Sequence, residues 1–189
     1  MSTVLIIIIG VVVVLLLIVL ACYNGLVKVN ERVNEAWSDI TVQLKYRADL
    51  IPNLVETVKG YEKHEKEVFS EVTEARSASL GAKTVDAAAR AETKMNNALS
   101  KIMAIAEAYP ELKASENFKT LQSQLQDIED KIQAARRFYN ASAKDLNTKV
   151  KLFPTNLINS LFLHFKSRDY FEVEETEKAK IKDAPEVKF

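Results

Sequence analysis

Apolar positions along this chain follow two different rules. From Val4 to Cys22 no side chain is charged or strongly polar, in the run VLIIIIGVVVVLLLIVLAC. Beyond it, apolar residues return in steps of three and four among charged ones. The first pattern predicts a helix that is apolar all round, roughly 28 Å long at 1.5 Å per residue, which is about one hydrocarbon core. The second predicts amphipathic helices, each burying one stripe.

Leu26, Val29, Val33, Trp37, Ile40 and Leu44 make the first stripe, opposite Lys28, Glu31, Glu35, Asp39 and Lys45. Only Gly25 stands as a breaker between that stripe and the apolar run, so anchor and first helix are expected to join. Two readings are open at Pro52. In one, Asp49 caps a new helix and Pro52 sits in its first turn, where a missing amide hydrogen costs little. In the other, a single helix runs from Asn24 to about Ser79 with a kink at Pro52, and the stripe continues through Ile51, Val55, Val58, Val68, Val72 and Ala75.

Gly81 is a candidate C-cap, and Thr84 can cap the next helix with Asp86 near its positive end. That stripe reads Val85, Ala88, Glu92, Met95, Leu99, Ile102, Ala106 and Tyr109, with Glu92 expected to lean out from the core edge. Pro110 marks the stop. Ser115 offers a cap for the last long helix, whose stripe is Phe118, Leu121, Leu125, Ile128, Ile132, Ala135, Tyr139, Ser142, Leu146, Val150 and Phe153. The segments are therefore 24–48, 52–79, 84–109 and 115–153, with a short helix at 155–163 and a loose charged tail at 172–189. A break at Pro52 gives helices of roughly 35, 42, 39 and 57 Å, the fourth ending near the membrane. A kink gives a first helix of about 80 Å, and the apolar segment after Pro154 then ends far from it.

Four glycines and four prolines in 189 residues exclude a chain rich in turns and mark it as all-α. The fold expected is an N-terminal transmembrane helix followed by an antiparallel four-helix bundle. The short polar start, without basic residues, and the length of the apolar run argue against a cleaved signal peptide. Val19-Leu20-Ala21-Cys22 also fits a loose lipoprotein processing site; the simpler reading is a small apolar residue at the membrane edge. Lys28 and Arg32 follow the run, which predicts the N-terminus outside and the bundle cytoplasmic. Tyr23 falls where an interfacial aromatic belt is expected. One cysteine excludes an internal disulfide and suits a reducing compartment. Lys plus Arg equals Asp plus Glu at 26 each, so nothing points to nucleic acid as a partner.

No catalytic, metal or cofactor constellation stands out. A di-iron bundle needs Glu-x-x-His twice, but Tyr61 precedes His64 by three and Leu161 precedes His164. One cysteine and two histidines cannot build a zinc site. The cluster of Glu62 with His64, Glu65, Lys66 and Glu67 is expected to be a solvated helix face. Candidate interaction or register residues are Asn30, Asn34, Trp37, Gln43, Arg47, Asn53, Arg136, Tyr139 and Asn140, and Arg136 could reach Glu71 or Glu74. Candidate lipid contacts are Leu157, Ile158, Leu161, Phe162 and Phe165, with Lys166 and Arg168 meeting headgroups.

The motifs Tyr23-Asn24-Gly25-Leu26-Val27, Ala36-Trp37-Ser38-Asp39-Ile40 and Asp49-Leu50-Ile51-Pro52-Asn53-Leu54-Val55 resemble the LemA family. So do Glu107-Ala108-Tyr109-Pro110-Glu111-Leu112-Lys113, Ala135-Arg136-Arg137-Phe138-Tyr139-Asn140, Phe153-Pro154-Thr155-Asn156-Leu157 and Tyr170-Phe171-Glu172. The resemblance runs from the anchor to about Glu175. It implies a bacterial single-pass membrane protein, of the cell inner membrane, with four main helices and no established activity, and it favours the break at Pro52. Where the family often has a basic pair before its Asp-Leu-Ile-Pro stretch, Tyr46-Arg47 follows Lys45 here. A glycine often found before the final apolar cluster is also missing, and Leu161-Phe162-Leu163-His164-Phe165 stands instead. Related members tied to bacterial organelle formation imply scaffolding. The expected function is thus a membrane-anchored scaffold or interaction protein, not an enzyme, with the bilayer and an unknown protein or a second copy as partners. The alternative is a lipid- or peptide-binding module touching the bilayer through 154–168.

Overall fold

The computed structural model describes residues 2–62 and 64–172. Most of the expected tail at 172–189 lies outside the described residues. The described chain is all-α, without a strand. Its helices are α1 (Thr3–Lys59), α2 (Lys66–Gly81), α3 (Val85–Ala108), α4 (Pro110–Ala114), α5 (Glu116–Lys149) and α6 (Thr155–Ile158). A π-helical turn, Asn159–Leu163, follows directly on α6.

The first turns of α1 are long and apolar enough to cross a membrane, and side chains such as Ile7 and Leu17 are more than half exposed. The apolar run enters the amphipathic part without interruption: Gly25 is helical. Leu26, Val29, Val33, Ile40 and Leu44 are buried as their spacing predicts, but Ala36 takes the place in the seam expected of Trp37.

Neither reading of Pro52 matches the observed chain. Pro52 lies inside α1, and the turn comes later, at 60–65. A proline in a helix interior removes one amide donor and leaves the carbonyl four residues earlier without its partner. That carbonyl belongs to Ala48, which is fully buried, and Arg76 of α2 donates its Nε–H to it at 2.8 Å. The helix therefore passes through Pro52 with no orphaned acceptor. It stops at Lys59, and the Tyr61 and Glu62 amides both turn back to the Val58 carbonyl. Glu62 is not on a solvated face. It is buried, and its carboxylate accepts from the Tyr109 phenol and the His64 amide, tying the turn to the end of α3.

Thr84 caps α3 as its sequence predicts, its Oγ1 accepting from the Ala87 amide at 3.2 Å. Gly81 is instead the last residue of α2, and no described glycine has a positive φ. Two stripe members behave differently from expectation. Glu92 is buried rather than leaning out, and Phe153 is 77% exposed because α5 ends at Lys149.

The chain divides into two compact units. One holds α1 up to Ser38 with Arg137–Asp169; the other holds Asp39–Arg136 with Tyr170–Glu172. The second unit is an antiparallel bundle of α1, α2, α3 and α5. Arg76 meets Ala48 while Lys59 lies over the Phe69 ring, so α2 runs back along α1. Its core gathers Ile51, Leu54, Val58, Val72, Met95, Ile102, Leu112 and Phe118. In the first unit Trp37 packs edge-to-face on Tyr139, with ring centroids 6.0 Å apart. Arg168 then joins Asn147 of α5 to Asn30 and Asn34 of α1, so the two helices are antiparallel there also.

If Arg76 sustains the helix across Pro52, the two sites are coupled. Arg76→Met leaves a buried carbonyl unpaired and is expected to cost about 1–3 kcal/mol. In a Pro52→Ala background the restored amide takes over, and the same change is expected to cost clearly less. Urea unfolding of the four proteins measures the coupling; equal losses in both backgrounds would refute it.

Candidate functional site

Among the described residues Arg47, in the second unit, is the largest fully buried side chain, 1% exposed. A buried guanidinium requires charged and hydrogen-bonding partners. It donates Nη2–H to Glu92 Oε2 at 2.6 Å, and Nη1–H both to Glu129 Oε2 at 2.8 Å and to Asn96 Oδ1 at 3.1 Å. Arg47 comes from α1, Glu92 and Asn96 from α3, and Glu129 from α5, so one side chain locks three helices in register. Gln133 supports Glu129 with a bond of 2.7 Å. An open groove of about 550 Å³, lined by Arg47, Asn96, Leu99, Met103, Gln126 and Glu129, adjoins the cluster. Arg47 Nε and Glu92 Oε1 are buried with no partner.

Other candidate residues of that unit lie apart from the cluster. Arg136 lies over the Phe171 ring, 4.5 Å from its centroid, a cation–π contact, instead of pairing with Glu71 or Glu74. Glu71 pairs with Lys101 at 2.6 Å, and Glu74 accepts from the Ser70 hydroxyl. Gln43 is half-buried, and Asn53 is exposed, its carbonyl accepting from Thr57 Oγ1 at 2.8 Å.

In the first unit the Tyr139 phenol is buried and donates to the Asp169 carbonyl at 3.0 Å. Burial pushes that phenol above its ordinary value, while the Arg168 charge pulls it down. Asn140 is half-buried beside it. Asn147 grips the Arg168 backbone on both sides, accepting from its amide at 2.7 Å and donating to its carbonyl at 2.8 Å. The Arg168 guanidinium donates to Asn30 Oδ1 at 3.1 Å and Asn34 Oδ1 at 3.3 Å. Arg168, a candidate headgroup contact, thus bonds α1, and both it and Lys166 are exposed. Among the remaining lipid candidates Ile158 is buried and Phe165 half-buried, but Leu157, Leu161 and Phe162 are 51%, 65% and 60% exposed. Asn159 shapes the segment's end, bonding both the amide and the carbonyl of Phe165. Among the described residues no group of three His, Cys, Asp or Glu could hold a metal ion.

A family model described as the LemA family matches residues 36–189. The chain belongs to the LemA family. It is 26% identical to the magnetosome protein MamQ of Magnetospirillum gryphiswaldense, over 81% of this chain and 65% of that protein. To Protein LemA of Metamycoplasma hominis it is 29% identical, over 71% of this chain and 62% of the relative. The chain thus spans just under two thirds of the length of these relatives. The matched region of this LemA-family chain contains Arg47 and all its partners.

Sequence reasoning singled out Arg47 and missed its three partners. Glu92 was the available signal: a lone carboxylate inside an otherwise apolar stripe needs a buried cation. Asn147 and Arg76 were missed because each acts on a backbone group 21 or 28 positions away, and Asn159 because its bonds to Phe165 belong to an irregular turn that periodicity does not describe.

Burial pushes the Glu92 carboxyl above its ordinary value of 4.5; the Arg47 charge and hydrogen bond pull it back without cancelling that effect. The folded chain therefore holds a proton there more tightly than the unfolded chain. This contribution to stability is complete below about pH 4.5 and is lost as pH rises through the folded-state value. Unfolding free energies across that range are expected to lose this component of their slope in Glu92→Gln. Arg47→Met strands Glu92 and is expected to cost about 3–5 kcal/mol, whereas Arg47→Met with Glu92→Leu recovers most of it. A double variant as unstable as the single one would show that the arginine acts through something other than charge compensation. His164, at φ 54° and ψ 30°, holds a left-handed conformation that strains a side chain. His164→Gly is expected to raise stability by about 1 kcal/mol, read as a shift in the urea midpoint.

Proposed function

We propose that this chain is a membrane-tethered scaffold. The apolar run of α1 spans the bilayer, and the bundle recruits a protein partner, or a second copy, at the membrane surface. Tethering raises the effective concentration of whatever the bundle binds, with no chemical step. The observation that carries this reading is the continuity of α1: the apolar run and the packed stripe from Leu26 onward are one helix, without a breaking turn. Consistent with it, the polar side chains converging on Arg47 are engaged with one another and fix helix register. Lys28 and Arg32, exposed just past the apolar run, support a cytoplasmic bundle.

Two experiments address the two halves of the proposal. In spheroplasts carrying Cys22→Ala, a cysteine introduced at exposed Ser70 is expected to resist a membrane-impermeant maleimide until the cells are lysed. Labelling of intact spheroplasts would reverse the topology. Proximity crosslinking of the full-length protein in its own cells is expected to return a recurring protein that is lost when Arg90→Glu and Lys119→Glu reverse charges at positions more than half exposed. An identical, random set of neighbours for both proteins would end the recruitment reading.

A further inference from the structure

Five apolar side chains at the end of the first unit face solvent. Leu152, Phe153, Leu157, Leu161 and Phe162 are each between 51% and 77% exposed. Leu157 and Leu161, four residues apart on the continuous helical turns of α6 and the π-helical turn, share one side of the segment, and Leu152 and Phe153 precede it in the turn before α6. Ile158 and Asn159, pointing the other way, are buried. The segment is amphipathic, and its apolar side has no cover within the described residues. Patches of this kind mark contact surfaces.

The register of the unit says what lies opposite. Trp37 and Tyr139 are in ring contact on antiparallel helices. Counting back from Trp37 along α1, Val27 is about 15 Å away and Tyr23 about 21 Å. Counting forward from Tyr139 along α5, Lys149 is also about 15 Å away. The chain then keeps its helical hydrogen bonding as far as Leu152, whose amide donates to the Thr148 carbonyl. Leu152 and Phe153 therefore come level with Tyr23, where the apolar run of α1 ends. The headgroup layer beyond the hydrocarbon core is about 5–7 Å deep, which is the level of this segment. Its charge fits as well. From Val150 to Arg168 there is no Asp or Glu, and Lys151 and Lys166 are both exposed.

We propose that residues 150–166 form a second membrane contact, lying in the interfacial layer of the bilayer that α1 enters. Phe153, Leu157, Leu161 and Phe162 meet the upper acyl chains, and Lys151 and Lys166 meet anionic headgroups. The proposal rests on the reading that the apolar run spans the membrane. The anchor and the far end of α5 are then held by one lipid surface, which fixes the tilt of this unit on the membrane.

The test uses the full-length protein, with Trp37→Phe removing its single tryptophan, in vesicles of phosphatidylcholine and phosphatidylglycerol with brominated acyl chains. Indoles are introduced one at a time by Phe162→Trp, by Phe138→Trp on the exposed side of α5, and by Leu15→Trp within the apolar run. The expected result is strong bromolipid quenching for Phe162→Trp and Leu15→Trp, and several-fold less for Phe138→Trp. Lys151→Glu with Lys166→Glu is expected to reduce the Phe162→Trp signal several-fold while leaving Leu15→Trp unchanged. If Phe162→Trp behaves like Phe138→Trp while Leu15→Trp is quenched, the second contact is wrong and the anchor stands. If Leu15→Trp also escapes quenching, the anchor reading falls and takes this proposal with it. Shielding of Phe162→Trp from acrylamide that grows with protein concentration, without lipid quenching, would give the patch to a second copy and overturn the proposal. Circular dichroism of each variant checks that helix content is retained.

Discussion

The carbonyl of Ala48 is the group on which the path of the chain depends. Pro52 takes away its helical partner, and its burial takes away water. Left alone it would cost the full desolvation of a polar group, and the helix would do better to break there. The Arg76 Nε–H removes that penalty. As a result α1 runs on to Lys59, and the turn begins at Gly60, not at Pro52. Placing the turn eight residues later still leaves room for three further long passes, α2, α3 and α5. A helix unbroken to Ser79 would have left only two.

Arg47 does for side-chain register what Arg76 does for the backbone. Apolar stripes alone fix which face of a helix is buried, yet they tolerate sliding by a turn. A buried guanidinium with two carboxylates and an amide tolerates no such shift, because any displacement strands a charge. The arrangement is graded by exposure. Glu92, 4% exposed, depends on Arg47 for compensation, while Glu129, 28% exposed, still reaches solvent. That difference explains why burial dominates the Glu92 carboxyl despite an ion pair of 2.6 Å.

Period-based reasoning located most of the core. Leu26, Val33, Ile40, Val72, Met95, Ile102, Ile132 and Leu146 are all buried as their spacing requires. Family motifs were equally legible, and the family model matches from residue 36 onward. What stayed hidden were contacts between residues far apart in sequence. The pairing of Arg76 with Ala48 spans 28 positions, that of Arg47 with Glu129 spans 82, and that of Arg168 with Asn30 spans 138. Helix periodicity carries no information about such pairs. It also misplaced aromatic residues at the edges of stripes: Trp37 and Phe153 fit the spacing, but small Ala36 fills the seam and α5 stops before Phe153.

The carboxyl segment shows how a local polar clasp can decide what an apolar sequence does. Residues 157–165 read equally well as core or as surface, since six of the nine side chains are apolar. Asn159 resolves the ambiguity by bonding the Phe165 backbone on both sides, and Asn147 does the same for Arg168. With the carboxyl end of the segment held in this way, Ile158 is buried and Leu161 and Phe162 are exposed. Their exposure goes with two asparagines that satisfy backbone groups at the segment's carboxyl end. A segment built in that way keeps its apolar side presented whether or not anything covers it.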